Sequence, residues 1–114
     1  MQRIFTMPFH VPGALSANIN IRFKAPCDCQ LLHVSAGQSD TDTAVLDIGP
    51  STDTDGYLDG VNFGVSNVAL VYGRTDFVGD QYPHIAAGTI VVITITDHAS
   101  HSNDPTVVLT FAEG

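Results

Sequence analysis

The densest group of potential metal ligands in the chain is the acidic segment at residues 51–60. It contains three aspartates and two glycines in ten residues. The aspartates are Asp53, Asp55 and Asp59. Carboxylate oxygens are the ligands that Ca²⁺ prefers, and an EF-hand loop places them at alternating positions. With Ser51 at position 1, the three aspartates fall at ligand positions 3, 5 and 9.

The same template also fails at two positions. Position 1 is a serine, and position 12, where a bidentate glutamate belongs, is Asn62. No helices are predicted on either side of the segment. Two interpretations therefore remain open: a weak calcium site formed by the three aspartates, and an Asx-type surface turn in which Gly56 supplies a positive φ.

A second candidate metal site lies in the polar segment at residues 97–104. His98 and His101 are three residues apart, and Asp97 and Asp104 flank them. Two imidazoles and one or two carboxylates could complete a tetrahedral zinc site. No H-E-x-x-H helix is present to hold them, so a solvent-exposed polar loop is the competing interpretation.

Cys27 and Cys29 are the only cysteines in the chain. On a strand, residues two apart have Cα atoms about 6.6 Å apart and side chains on the same face. This geometry is poor for a disulfide. We therefore expect reduced thiols, as in a protein made in a cytoplasm.

The sequence contains little that points to catalysis. It has no G-x-S-x-G elbow and no phosphate-binding glycine loop. Its single glutamate, Glu113, lies one residue from the end. Three tyrosines could stack on a sugar, but there is no tryptophan. We predict that the chain is not an enzyme and uses no cofactor.

The charge distribution argues against two classes of partner. The formal net charge is −8, and the basic residues are Arg3, Arg22, Lys24 and Arg74. Such a field repels phosphate backbones and anionic lipids, so we expect no nucleic-acid binding. No secretory pattern opens the chain, and no stretch approaches the ~20 apolar residues of a membrane span. The sequence predicts no membrane association.

Composition and periodicity predict an all-β protein. The chain has twelve valines, eight isoleucines and eleven threonines, which favour strands over helices. Apolar residues alternate with polar ones in short segments separated by turns, beginning with Phe5, Met7, Phe9 and Val11. We predict one domain over residues 1–114, an antiparallel β-sandwich of about eight strands with a jelly-roll-like arrangement.

Two local predictions concern the second half of the chain. Residues 89–96 are β-branched at every position, and residues 106–111 follow after a polar loop. These segments predict two strands that form an antiparallel pair. In the long connection at residues 73–88, we predict a short edge strand near Phe77 and Val78.

Four segments together resemble a known family. They are Val11-Pro-Gly-Ala-Leu15, Ala25-Pro-Cys27 with Leu32-His-Val-Ser-Ala36, Ile48-Gly-Pro-Ser-Thr-Asp-Thr-Asp-Gly-Tyr-Leu58, and Asp76-Phe-Val-Gly-Asp-Gln-Tyr-Pro-His-Ile85. The chain resembles small all-β virion proteins of tailed bacteriophages, of the head decoration (cement) type. The resemblance implies a protein made in the host cytoplasm that binds the major capsid protein on the capsid exterior and stabilises the head. It also implies symmetric assembly, as a homotrimer.

The N-terminal segment is the candidate partner-binding region. Residues 1–13 could form an arm that adds a strand to a neighbour's sheet, with Ile4, Phe5, Met7 and Phe9 as contacts. Alternatively, the segment is the first strand of the domain's own core. A capsid decoration protein is the leading functional hypothesis. The alternative is a carbohydrate- or receptor-binding β-sandwich module that could depend on calcium.

Overall fold

The computed structural model of the chain describes residues 3–13, 17–39, 44–63, 68–96 and 103–114. These residues contain nine strands and two short 3₁₀ helices. The strands are β1 (Ile4–His10), β2 (Ile19–Lys24), β3 (Cys29–Gly37), β4 (Val45–Pro50), β5 (Leu58–Asn62), β6 (Leu70–Tyr72), β7 (His84–Ile85), β8 (Ile90–Thr96) and β9 (Thr106–Glu113). The 3₁₀ helices, Arg74–Asp76 and Val78–Asp80, lie between β6 and β7.

The strands form two antiparallel sheets that pack face to face. One sheet has the order β1-β9-β3-β6, with β7 also paired to β3, and the other has the order β2-β8-β4-β5. The chain passes between the sheets repeatedly, and its first and last strands are neighbours. This strand order is that of a jelly roll. The prediction of an all-β antiparallel sandwich is confirmed.

The predicted pairing of the last two long strands is wrong. β8 lies between β2 and β4, whereas β9 lies between β1 and β3 in the other sheet. Both strands are central in their sheets, and a central strand needs apolar, β-branched residues whichever neighbours it has. The composition of the two segments therefore predicted strands correctly but carried no information about their partners.

The predicted edge strand near Phe77 is also wrong. Phe77 is buried between the two 3₁₀ helices, and the short strand of this connection is β7. Gly79 and Asp80 have φ angles of 77° and 54°, so two consecutive residues lie in the left-handed region and the chain turns here instead of extending. The Asp76 carboxylate accepts a hydrogen bond from the Gly73 N–H at 2.9 Å, which closes the first turn.

β1 lies at the edge of the five-stranded sheet and pairs with β9 of the same chain along its full length. Its predicted alternation is observed: Phe5, Met7 and Phe9 are half-buried and pack against the core, whereas Ile4 is 60% exposed. Residues 4–10 therefore form a strand of the chain's own sheet. Contact of these four residues with a partner stays a prediction.

An aromatic cluster joins the two sheets near β1. The Phe111 ring stacks on Phe5 with centroids 5.2 Å apart and meets Phe23 of the opposite sheet edge-on at 6.3 Å. Phe9 in turn stacks on Phe23 at 5.2 Å. Phe111 is 1% exposed, so this cluster anchors both β1 and β2 to the core.

Candidate interaction surface

The acidic segment folds over the outer face of the four-stranded sheet. It is a loop whose backbone hydrogen bonds run from Asp53 N–H to Pro50 O and from Gly56 N–H to Asp53 O, at 2.9 and 2.8 Å. The loop lies directly on Gly49 of β4: a Cβ built there would be 2.1 Å from the Asp53 carbonyl oxygen. Only glycine permits this close approach of two backbones.

Calcium binding by Asp53, Asp55 and Asp59 stays a prediction. Asp53 and Asp55 share a hydrogen bond, which, with partial desolvation and the charges of Asp55 and Asp59, raises the pKa of Asp53 above its usual value. Among the described residues, which include all three aspartates, no group of three or more His, Cys, Asp or Glu could hold a metal ion. The loop geometry is that of the turn interpretation, although Gly56 does not have a positive φ.

The predicted zinc alternative falls largely outside the described residues, since only Asn103 and Asp104 of that segment belong to them. Asp104 instead forms hydrogen bonds with two other connecting segments of the chain, at Gly13 and Ser39. Its Oδ1 accepts a hydrogen bond from Gly13 N–H at 2.6 Å, and its own N–H donates to Gly13 O at 2.9 Å. Ser39 Oγ donates to Oδ2 at 3.3 Å. These bonds give Asp104 a structural role.

Both cysteines are free thiols. Cys29 is 1% exposed at the start of β3. Burial, with smaller contributions from Cys27 and Asp28, raises its pKa from 9.0 to about 11. Because the thiolate is the reactive form, Cys29 is positioned as an inert core residue.

We expect Cys27 and Cys29 to differ in how fast a thiol reagent labels them. At pH 8 the thiolate fraction of Cys29 is about 100-fold below that of a thiol with a pKa of 9.0. A maleimide reagent should therefore modify half-buried Cys27 much faster than Cys29. Both cysteines lie on the tryptic peptide of residues 25–74, so fragment ions from tandem mass spectrometry locate the modified residue. Equal rates for the two residues in the folded protein would contradict the buried position of Cys29, and urea-unfolded protein is the control.

The outer face of the five-stranded sheet is the candidate site. We call it the uncharged face, because none of its described strand positions holds Asp, Glu, Lys or Arg. Strand alternation and register place the following residues on it: Ile4, Thr6, Pro8, His10, Gln30, Leu32, His33, Ser35, Gly37, Val71, His84, Thr106, Val108, Thr110 and Ala112. Arg3 and Glu113 lie beyond it, at one end of the sheet.

Neighbouring strands bring these residues into cross-strand rows. The central row runs Pro8, Val108, Ser35 and Val71 across β1, β9, β3 and β6. A bulge in β3 shifts the register between Leu31 and His33. Because of the extra residue, Leu31 and Val34 are both buried in the core although they are three positions apart. Side chains therefore alternate between the inner and outer faces of the sheet on both sides of the bulge.

The opposite face of the sandwich differs in charge. The outer face of the four-stranded sheet holds Arg22 and Lys24 of β2 and Asp47 of β4. The Asp47 carboxylate accepts a hydrogen bond from the Gly60 N–H at 2.6 Å. The acidic loop covers the adjoining part of this face. Charge in the described residues is therefore distributed unequally between the two faces.

The two edges of the uncharged face also differ. In β1 the odd-numbered residues direct their backbone toward β9, as shown by the bonds from Glu113 N–H to Arg3 O and from Val11 N–H to Pro105 O. Pro8 therefore faces the free edge, where it removes the donor that an added strand would need. At the other edge, Val71 of β6 is 58% exposed. The side-chain face is thus better suited to binding than the β1 edge.

The sequence predicted partner contacts by Ile4, Phe5, Met7 and Phe9 of the N-terminal segment. Of these four residues, only Ile4 presents its side chain to the uncharged face. The face was missed because its members come from five separate strands. The available signal was the lack of charge at the outward positions of residues 4–10 and 106–112.

Comparison with known proteins finds similarity in fold. No protein-family model matches the chain, and no curated protein matches it. A chain from the capsid asymmetric unit of cyanophage Pam1 superposes with a TM-score of 0.63, at 13% identity, over 99% of this chain and 85% of that chain. The protein shares its fold with a chain of a phage capsid. At the level of fold, this confirms the resemblance drawn from the sequence.

A second solved structure is less similar. The family 35 carbohydrate-binding module from Clostridium thermocellum has a TM-score of 0.48 and 15% identity, over 99% of this chain and 92% of that chain. This likeness is too low to bear on function.

Among the described residues, no helix has the length and hydrophobicity needed to cross a membrane.

Proposed function

We propose that the chain is a structural virion protein of a bacteriophage, a capsid decoration (cement) protein that acts by binding, without catalysis. In this role it binds the major capsid protein on the exterior of the head and stabilises the shell against internal pressure. It is made in the host cytoplasm and assembles as a homotrimer.

The observation that carries the proposal is the uncharged face on a strongly acidic jelly roll. Cores of protein–protein interfaces are depleted in charged residues. Here a chain of net charge −8 keeps Asp, Glu, Lys and Arg away from the described positions of one whole sheet face. The fold shared with a chain of the cyanophage Pam1 capsid supports the same role.

The test is binding to purified heads of the phage that encodes the chain. We expect the added protein to co-sediment with heads at a fixed ratio to the major capsid protein, and to raise the temperature at which they release DNA. Cryo-electron microscopy of the decorated heads should place it on the outer surface. Heads that neither bind the protein nor contain it in the mature virion would overturn the proposal.

A glycan array separates the alternative role. A carbohydrate- or receptor-binding module should bind particular glycans, and chelation of calcium should abolish that binding if Asp53, Asp55 and Asp59 hold the ion. We expect no glycan-specific binding. Reproducible binding to particular glycans, together with no binding to phage heads, would favour the carbohydrate- or receptor-binding module over the decoration protein.

A further inference from the structure

The two basic residues of the four-stranded sheet lie together on its edge strand. Arg22 and Lys24 of β2 are exposed on the outer face, whereas the alternate residues of this strand turn toward the core. β2 is an edge strand, because β8 is its only partner in the described sheet. Within the described part of the chain, neither basic side chain forms an ion pair. Half of the four basic residues are therefore grouped at one edge without a bound opposite charge.

The acidic segment at residues 51–60 occupies the other side of the same face. Gly49, on which this segment lies, pairs with Val92 of β8, and Val92 pairs with Arg22. Neighbouring strands lie about 4.8 Å apart, so the sign of the charge changes across about 10 Å of sheet. The three exposed carboxylates of the segment belong to Asp53, Asp55 and Asp59. One copy therefore presents positive charge at one edge and negative charge toward the other.

A two-fold contact between two β2 strands is disfavoured by their charge. Arg22 and Lys24 of one copy would lie beside the same residues of the other, and like charges on paired strands are destabilising. Basic side chains on edge strands prevent such pairing in many proteins. The surface that neutralises this edge must therefore be a different one with negative charge. The acidic segment of another copy is such a surface.

The side-chain chemistry is complementary across this contact. Arginine and lysine only donate hydrogen bonds, whereas carboxylates only accept them, and bonds between ionised partners are the stronger ones. The packing of the acidic segment on Gly49 holds its carboxylates in place before a partner arrives. The Debye length is about 8 Å at about 0.15 M salt, so the repulsion between the net charges of two copies is largely screened while charges in contact still attract.

We infer that Arg22 and Lys24 on β2 of one copy bind the acidic segment of a second copy. The inference deepens the proposed function and rests on it, because it assigns the contact between copies of the homotrimer. Each copy contributes its basic edge to one neighbour and its acidic segment to the other. Such a heterologous contact closes into a ring when it is repeated around a three-fold axis. The uncharged face takes no part in it and stays available to the capsid protein.

Lys24 is the only lysine of the chain, which permits a specific cross-linking test. A carbodiimide activates a carboxylate, and the Lys24 amine then forms an amide bond with it as the carbodiimide leaves as a urea that carries the carboxylate oxygen. This zero-length link requires the two groups to be in contact. The protein is treated in about 0.15 M salt, both free in solution and bound to phage heads. Gel electrophoresis counts the linked copies, and tandem mass spectrometry of mixed isotope-labelled and unlabelled protein identifies links between copies.

We expect linked products up to the trimer, joined from Lys24 to carboxylates of the acidic segment. Lys24→Arg keeps the charge, so it should associate normally in sedimentation velocity but lose these links. Arg22→Glu should weaken association at least about tenfold, because like charges then meet across the contact. Lys24→Glu provides a second such variant if Arg22→Glu folds poorly by circular dichroism. Arg3→Glu is the matched control: it makes the same change of charge at the end of the other sheet and should associate like the wild type.

Three results would overturn the inference: no links between copies, links from Lys24 to carboxylates outside the acidic segment, and normal association of the folded Arg22→Glu and Lys24→Glu variants. Linked products longer than the trimer would overturn the closed ring. Head binding keeps the two proposals distinguishable. Decorated heads on which Lys24 links only to the capsid protein would overturn the contact between copies and leave the decoration role standing. Copies that link through the acidic segment in solution but never bind heads would overturn only the decoration role.

Discussion

Replacing Gly49 by alanine should lower the free energy of unfolding by about 3 kcal/mol, near the upper end of the range for overpacked sites. The new Cβ would lie 2.1 Å from the Asp53 carbonyl oxygen and 2.6 Å from the Gly56 nitrogen. Both are backbone atoms of the acidic loop, so no side-chain rotation can relieve the clash. Urea denaturation followed by circular dichroism measures the change.

Gly73→Ala is the matched control for this prediction. Nothing lies within 4 Å of the position that its Cβ would take, and its φ of −127° is allowed for any residue. We expect this variant to be as stable as the wild type or up to about 1 kcal/mol more stable, because alanine restricts the unfolded chain. If Gly49→Ala had the same free energy of unfolding as Gly73→Ala, this would contradict the packing of the acidic loop on β4.

Replacing Phe111 by alanine should cost about 4 kcal/mol, the usual loss for a buried phenylalanine. The substitution leaves a cavity and removes the ring contacts with Phe5 and Phe23. Those contacts connect β9 to β1 in its own sheet and to β2 in the other. The free energy of unfolding from urea denaturation should fall accordingly, and the unfolding transition should move to lower temperature.

Two further variants make this prediction specific. Phe111→Leu should lose only about 1–2 kcal/mol, because leucine refills most of the volume. Val78→Ala removes methyl groups from a side chain that is 48% exposed, and surface changes of this kind stay within about 0.5 kcal/mol. A loss from Phe111→Ala no larger than that from Val78→Ala would contradict the central position of the aromatic cluster.

The charge distribution connects these structural results with the proposed role. The acidic loop is packed against one face of the sandwich through Gly49, and the other face lacks charged residues at its described positions. A body built in this way presents different surfaces on its two sides. That difference suits a protein which contacts other protein surfaces on one side and solvent on the other.

Sequence periodicity was sufficient for the local structure of the clearest strands. Alternation at Phe5, Met7 and Phe9 predicted β1, and the β-branched run at residues 89–96 predicted β8. Both signals arise within one strand, because side chains alternate between faces and branched residues fit an extended backbone. The same composition also predicted the all-β class.

Contacts between distant segments were not predictable from those patterns. The strands β8 and β9 were assigned to each other because they are close in sequence, yet they belong to different sheets. The bulge in β3 changes which residues face outward, and it appears only when the register with β9 is known. The mistaken strand at Phe77 followed from its apolar neighbours, although the positive φ of Gly79 and Asp80 prevents extension.

By itself, the sequence determined the all-β class, the net charge of −8 and the inward residues of the regular strands, because each depends on composition or on short-range alternation. Only the tertiary structure decided which strands pair, where the acidic loop rests and which surface lacks charge. Pro8, Ser35, Val71 and Val108 lie far apart along the chain and meet in one row. Strand pairing creates that row, and pairing is a property of the whole fold.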